Sequence, residues 1–264
     1  MRRGDQPINS ARYLRVYSLL SSPEERQLCA KERYKEQHPA WDDALILLTK
    51  YAQPFAHRDS RVLDIGCGRG NYIVDQYRDA WGDVTGYDVS EAAAVGNTSC
   101  DTIVIGDGVA LPFPSASFDL VLSLWTLEHL AQPAALFQEI HRVLRPGGAF
   151  LFTAPSKWSY CIIVRRLLPQ AIAARWIAKC DGRTTEDIFP TYYRANTAPA
   201  IRALAQQSGL AVEWLQYNGD PSYLAGIPLL ASGARGGERI LSWPPLHPLR
   251  AHLVGALRRT RGMA

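Results

Sequence analysis

The residues with the most chemistry to offer stand in SRVLDIGCGRGNY, residues 60–72. Asp64 lies near the end of a short apolar run, and Gly66, Gly68 and Gly70 follow at every second position. Such glycines let a chain turn sharply out of a strand and let a ligand approach the backbone closely. A dinucleotide fingerprint would space them G-x-G-x-x-G. Here the spacing is G-x-G-x-G, with no P-loop lysine. Asp64, beside the turn, would repel a pyrophosphate and suits a ligand carrying an ammonium group. Two further acids follow later apolar runs. Asp88 ends the second, where a carboxylate can accept hydrogen bonds from two ribose hydroxyls. Asp107 follows the third, where it can accept from an adenine amino group while Val109 or Leu111 packs on the ring. Three acids without a lysine describe a cationic nucleoside better than a polyphosphate. The glycine turn alone leaves dehydrogenase, kinase-like and transferase readings open.

Other reactive side chains gather near element ends. Glu128 and His129 follow the fourth apolar run, at the edge where open α/β sheets bind ligands. His129 is a candidate general base or acceptor contact, and equally a structural or cofactor-side contact. FPTYYRAN brings Tyr192, Tyr193 and Arg194 together as acceptor-site candidates, or as residues that pack an insert on the domain. Tyr34, His38 and Trp41 flank an N-terminal helix break, and Lys157 and Trp158 follow the fifth apolar run; all five are substrate-binding candidates. His141 reads as solvent-facing. Five scattered cysteines without a CxxC argue against a disulfide framework or a zinc site and fit a reducing cytoplasm. No metal-ligand cluster stands out.

The elements that must position these residues can be read from apolar periodicity. Helices are predicted over 22–37, with Ser22 as cap and Pro23 in the first turn, and over about 41–53. From Ser60, short apolar runs alternate with helical segments. Strands are predicted at 61–65, 83–87, 101–105, 118–124 and 148–154, and helices at about 69–79, 90–95 and 133–144. RPGG, 145–148, reads as a helix stop before the fifth strand. The strands are mostly apolar rather than alternating, as expected when both faces are covered. The succession implies a parallel, doubly wound α/β sheet with right-handed crossovers. Thr197 caps a helix over 198–208 that Gly209 ends, and 211–218 alternates like a strand. Residues 250–259 fit a last strand on the sheet or an amphipathic helix; the strand is preferred.

VLDIGCGRG, GYDVS, GDGVALPFPSASFDLVLSLWTLEHL and EIHRVLRPGGAFLFTAPS, in order over about residues 60–156, resemble the class I S-adenosylmethionine-dependent methyltransferases. The resemblance implies a Rossmann-like, seven-stranded, mostly parallel sheet whose last strand is antiparallel, with helical inserts before the first strand and after the fifth. It also implies the cofactor contacts. Asp64 and the turn of Gly66, Cys67, Gly68 and Gly70 would meet the methionine part. Asp88, with Val89 beside it, would hold the ribose, and Asp107, Gly108 and Val109 the adenine. Leu124 and Trp125 would line the cofactor near the sulfonium. S-adenosyl-L-homocysteine would be the product. DIFPTYYRANT, SGLAVEWL and PSYL resemble one bacterial subgroup of these enzymes, which adds shape but no substrate.

Four segments are expected: an arm and helices over the cofactor site, 1–59; the cofactor-binding core, 60–156; an acceptor-side insert, 157–197; and a completion of the sheet with a basic tail, 198–264. Methyl transfer displaces a neutral leaving group. The enzyme must therefore exclude water, orient the acceptor and, for a hydroxyl, remove a proton. The expected acceptor is an oxygen or nitrogen of a small molecule, glycan or lipid-linked metabolite. A nucleic-acid or protein methyltransferase, or a non-catalytic cofactor-binding protein, is the alternative. LWTLEHL stands where nucleic-acid amino-methylases carry N/D-P-P-Y/F, and no basic, aromatic-interleaved stripe crosses the core, so nucleic acid is not expected. The net charge is +4; from residue 231 onward six arginines face one acid, leaving the remainder near −1. That tail, with the basic and apolar segment 160–179, is a candidate weak contact for an anionic membrane surface, or simply a solvated end and a helical lid. No signal peptide is expected and no apolar run reaches transmembrane length.

Overall fold

The computed structural model describes residues 22–107, 109–167, 189–224 and 240–261. The expected arm at 1–21, Gly108, the helix break at Pro169 with most of 160–179, and Arg235 and Arg239 lie outside the described residues.

Seven strands form one sheet: β1 (Arg61–Ile65), β2 (Asp83–Asp88), β3 (Thr102–Ile105), β4 (Phe118–Leu124), β5 (Leu144–Pro155), β6 (Leu210–Asn218) and β7 (His252–Arg259). Their order is β3-β2-β1-β4-β5-β7-β6. Pairings from β3 to β5 are parallel, and β7 runs antiparallel to both β5 and β6. The open choice at 250–259 is thereby a strand. Its HLVGAL run is buried on both faces between two neighbours, which an amphipathic helix would not permit. The direction of winding reverses between β1 and β4, so a crevice opens at their carboxyl ends.

Two apolar layers cover the sheet. One face packs against α5 (Pro133–Val143) and α7 (Ala198–Ser208), around Phe137, Phe150 and Phe152. The other packs against α2 (Ala44–Ala52) and α3 (Tyr72–Tyr77), around Leu48, Ile73 and Leu122. Leu48 is fully buried, so truncation to alanine would cost about 2–5 kcal/mol. α2 begins later than periodicity predicts, because Asp43 caps it by accepting from the Leu45 N–H at 2.9 Å and thereby leaves Trp41 outside. α3 and α4 (Glu91–Ala94) are likewise shorter than expected, started by the side chains of Asn71 and Ser90. RPGG does not precede β5 but belongs to it. Leu144 already pairs with Phe118, and a register shift before Leu120 absorbs the glycines.

α1 (Ser22–Gln37) and an insert helix, α6 (Tyr160–Leu167), complete the described helices. α1 is fastened by Lys31, whose Nζ lies 2.7 Å from Asp43 and 3.2 Å from Asp220. Three arginines of the basic tail, Arg250, Arg258 and Arg259, are engaged with the fold. Arg258 pairs with Glu213 and donates to Gly147 O, while Arg259 donates to the carbonyls of His141, Arg142 and Leu144. Arg250 donates to the carbonyls of Leu241 and Tyr217. Among the described residues no helix is long and apolar enough to cross a membrane.

Candidate functional site

A cavity of about 580 Å³ occupies the crevice at the carboxyl ends of β1, β2 and β4. Its first wall is the turn after β1. Gly66 and Gly68 both have positive φ, 75° and 42°, which an L side chain adopts only under strain. They have different neighbours. A Cβ on Gly66 would overlap the Thr126 side chain, whose Cγ2 would lie at 2.7 Å, so the turn and the end of β4 touch there. A Cβ on Gly68 would meet nothing within 4 Å; that backbone is open to the cavity.

Two carboxylates hold the turn. Asp88, at the end of β2, accepts from the Gly68 N–H at 2.8 Å and from the Ser90 N–H at 2.9 Å. Its oxygens keep lone pairs for a ligand, and it lines the cavity. Asp64 is buried beneath the turn. Its Oδ1 accepts from Asn71 Nδ2 at 2.8 Å, while Oδ2 has no hydrogen-bond partner. Burial, then the nearby charges of Asp88 and Asp75, push its carboxyl up to about 7, against the lowering effect of the Asn71 hydrogen bond. An acceptor atom left unpaired in the interior asks for a donor. Farther along, Asp107 lines the cavity and accepts from the Val109 N–H at 3.1 Å. Val89 and Val109 are exposed apolar residues on the same lining.

The second wall follows β4. Leu124, Trp125, Thr126, His129, Leu130 and Leu136 line it, and Phe189, Pro190 and Tyr192 continue it. The two stretches are stitched together. The N–H groups of Tyr192 and Tyr193 donate to Glu128 O, at 2.7 and 3.2 Å, and Arg194 donates to Ala131 O at 2.6 Å. His129 Nδ1 lies 2.8 Å from Pro190 O. A carbonyl only accepts, so Nδ1 carries the hydrogen, while Nε2 faces the buried Glu128 carboxylate, 3.9 Å from its Oε1.

Of the residues singled out from sequence, the cavity gathers Gly66, Gly68, Asp88, Val89, Asp107, Val109, Leu124, Trp125, His129 and Tyr192. Among the described residues the others lie off that lining, Asp64 beneath the turn. Cys67 turns its side chain away from the cavity, toward β2, where a Cβ on Gly86 would lie 2.8 Å from its Sγ. Gly70 packs toward Ser99. Leu111 is buried in the core. Tyr193 and Arg194 act as fasteners, and the Arg194 guanidinium lies over the Tyr192 ring. Tyr34, His38 and Trp41 pack on one another, and Trp41 Nε1 donates to Gly219 O at 3.2 Å, which spends these rings on docking α1. The Lys157 ammonium sits over the Trp158 ring, and neither residue reaches the cavity lining. Sequence reasoning missed Thr126, Leu130, Phe189 and Pro190 on the lining, and Asn71 as partner of Asp64. Asn71 was legible as the residue capping α3.

The methyltransferase domain family matches residues 63–152. An uncharacterized methyltransferase of Mycolicibacterium gilvum is 38% identical over 171 residues, which cover 61% of this chain and 67% of that protein. The chain belongs to the class I S-adenosylmethionine-dependent methyltransferases. A probable S-adenosylmethionine-dependent methyltransferase of Mycolicibacterium smegmatis is 36% identical over 118 residues, 44% of this chain and 45% of the relative. The chain thus spans less than half the length of that curated methyltransferase. A crystal structure of an S-adenosylmethionine-dependent methyltransferase from Mesorhizobium loti shares the fold, with 20% identity, a TM-score of 0.51 and coverage of 82% of this chain and 98% of that one.

S-adenosylmethionine is the cofactor of this methyltransferase family, and the residues present fit it. A cation with hydroxyls and an amino group matches a cavity whose polar side chains include Asp88 and Asp107, with an unpartnered Asp64 oxygen beneath its turn. The open face at Gly68 admits a ligand against the backbone.

Proposed function

We propose that the protein transfers a methyl group from S-adenosylmethionine to an oxygen or nitrogen of a small molecule, glycan or lipid-linked metabolite. The observation that carries this reading is the buried, unpartnered Asp64 oxygen beneath a turn whose wall carries Asp88. Bound cofactor supplies an electrophilic methyl group on a positively charged sulfur. The chain's residues do the rest. Asp64 receives the ammonium end, Asp88 the ribose hydroxyls and Asp107 the adenine amino group. Val89 and Val109 cover the ring from the solvent side. The wall of Leu124, Trp125, Leu130 and Leu136 excludes water from the reacting atoms, which strengthens every charge interaction inside. His129, on the cavity lining with Nδ1 held by Pro190 and Nε2 facing Glu128, is the candidate to take the proton of a hydroxyl acceptor, a role worth about 10²–10⁴-fold in rate. Tyr192 lies beside it on the lining, oriented by Arg194.

In this reading residues 60–156 hold the cofactor, 157–197 carry the acceptor side and 198–264 complete the sheet, while α1 and α2 brace the site from one face. Calorimetry with S-adenosylmethionine and with NAD tests the first step. Micromolar binding of the former, none of the latter, and an affinity loss of at least about 30-fold in Asp88→Ala are expected. No binding of S-adenosylmethionine would sink the reading. The acceptor is then sought by incubating cell extract with methyl-labelled cofactor and identifying the labelled product by mass spectrometry.

A further inference from the structure

The glycine turn of the first wall is clipped from outside the cavity by the loop between α4 and β3. Gly96, with φ 81°, turns the chain after α4. The next residue, Asn97, reaches the turn: its Nδ2 donates to Cys67 O at 3.2 Å and to Gly68 O at 2.8 Å. Its Oδ1 accepts from the Ser99 N–H at 2.9 Å and from the Cys100 N–H at 3.1 Å. Two N–H groups face one end of this amide and two carbonyls the other, so only one orientation satisfies all four. The loop thereby fixes the side chain that holds the turn.

Ser99, which is buried, takes the other flank. Its Oγ accepts from the Asn71 N–H at 3.1 Å and donates to Asp75 Oδ1 at 2.7 Å. It fills the space that Gly70 leaves, since a Cβ there would lie 2.8 Å from that Oγ. Asn71 is in turn the donor to Asp64 Oδ1. The Cys67 and Cys100 sulfurs add a third tie. They converge over Gly86, where a Cβ would lie 2.8 Å from one and 2.9 Å from the other. Gly68 is thus held from two sides, its N–H by Asp88 on the cavity lining and its carbonyl by Asn97. Asn97, Ser99 and Cys100 themselves lie off that lining.

Three glycines in five residues give this turn more conformational freedom to lose than any other composition would. A ligand that had to order it would bind more weakly by the free energy of ordering. We propose that Asn97 and Ser99 are positioning residues that hold the glycine turn in its binding conformation, so that the cofactor meets it already ordered. The inference rests on the cofactor reading above, and it makes a loop off the cavity lining a determinant of affinity. In that reading the turn meets the amino-acid end of the ligand. S-adenosylmethionine and S-adenosylhomocysteine share that end, so the clip serves both alike.

Calorimetry with both ligands tests this, on variants that thermal melting shows to be folded at the titration temperature. Asn97→Ala lowers both affinities roughly tenfold, and the binding entropy becomes less favourable because the turn now orders on binding. Asn97→Asp keeps an oxygen for the Ser99 and Cys100 amides but loses both donors to the turn. It falls as far as Asn97→Ala, and stands in for that variant if alanine prevents folding. Ser99→Ala lowers both affinities roughly threefold. Arg78→Ala is the control, since it breaks the pair with Asp101 at the end of the same loop and spares the bonds to the turn. It lowers the melting temperature and leaves both affinities within about twofold. Unchanged affinities in the folded Asn97 variants, a loss for one ligand only, recovery in Asn97→Asp, or an equal loss in Arg78→Ala overturns the inference while leaving the cofactor reading intact. Binding of neither ligand by the unaltered protein overturns the cofactor reading and this inference with it.

Discussion

The two walls of the cavity are held in place by different means. The wall after β1 is set by backbone: two left-handed glycines, and the Gly68 amide that donates to the Asp88 carboxylate. The wall after β4 is set by side chains and by a distant segment, with Tyr192, Tyr193 and Arg194 tied to residues 128–131. The first wall has little freedom to vary without losing its ligand. The second, set by side chains, can change its lining while the ties persist.

The largest expected effect breaks the first wall. Gly66→Ala forces a Cβ into Thr126 and a left-handed conformation on an L residue. The two costs together come to about 2–5 kcal/mol of stability, read from urea denaturation. Adding Thr126→Ala should recover only the packing part. Full recovery would mean that the backbone conformation costs nothing there.

A smaller effect sharpens the role of the acid beneath that wall. The Asp64 carboxyl is raised to about 7 in the folded chain, against 3.8 unperturbed. For a raised acid, the folded state prefers the neutral form. The stability this group contributes is therefore greatest below pH 4 and is lost as pH climbs toward and past 7. Asp64→Asn should raise the melting point at pH 8, by an amount equivalent to about 2–4 kcal/mol, raise it less at pH 5, and leave it nearly unchanged below about pH 4. In the proposed binding mode the cofactor's ammonium group would reverse the preference by favouring the ionised carboxyl. Affinity for S-adenosylmethionine should rise several-fold between pH 6 and 7.5, and Asp64→Asn should flatten that rise. An equally steep rise in the variant would remove Asp64 from the account.

The smallest effect probes the second wall. Arg194→Ala removes one hydrogen bond to Ala131 O and the cation over Tyr192, together about 1 kcal/mol. Hydrogen exchange of the Tyr192 and Tyr193 amides should speed about fivefold with global stability little altered. Slower or unchanged exchange would show that the ties to Glu128 suffice alone.

This contrast also sets what the sequence discloses. Strands β1, β2 and β4 are buried along nearly their whole length, so each is a compact, mostly apolar run, and glycines and acids at the ends of β1 and β2 mark the first wall directly. The β7 segment HLVGALRR fits a helix as well as a strand, and only its two neighbours decide. Leu144 could be placed in β5 only once Phe118 was seen beside it. Tyr34, His38 and Trp41 carry binding-site chemistry by type. They pack on one another, and Trp41 donates to Gly219 O, 178 residues farther along, a partner that local spacing cannot register. His252 is a lone histidine at a strand start, and its nearness to Trp125 follows from the reversal of β7.

The insertion of β7 between β5 and β6 has a consequence for how the chain is made. β5 ends at Pro155, and the strand that must cover its open edge begins only at His252. At ribosomal rates of about 5–20 residues per second, that edge waits roughly 5–20 s for its partner. Throughout that interval the nascent sheet presents the unpaired backbone of a long apolar strand, a template for pairing with another chain. Synthesis rate and chaperone supply, more than equilibrium stability, should therefore govern the yield of folded enzyme.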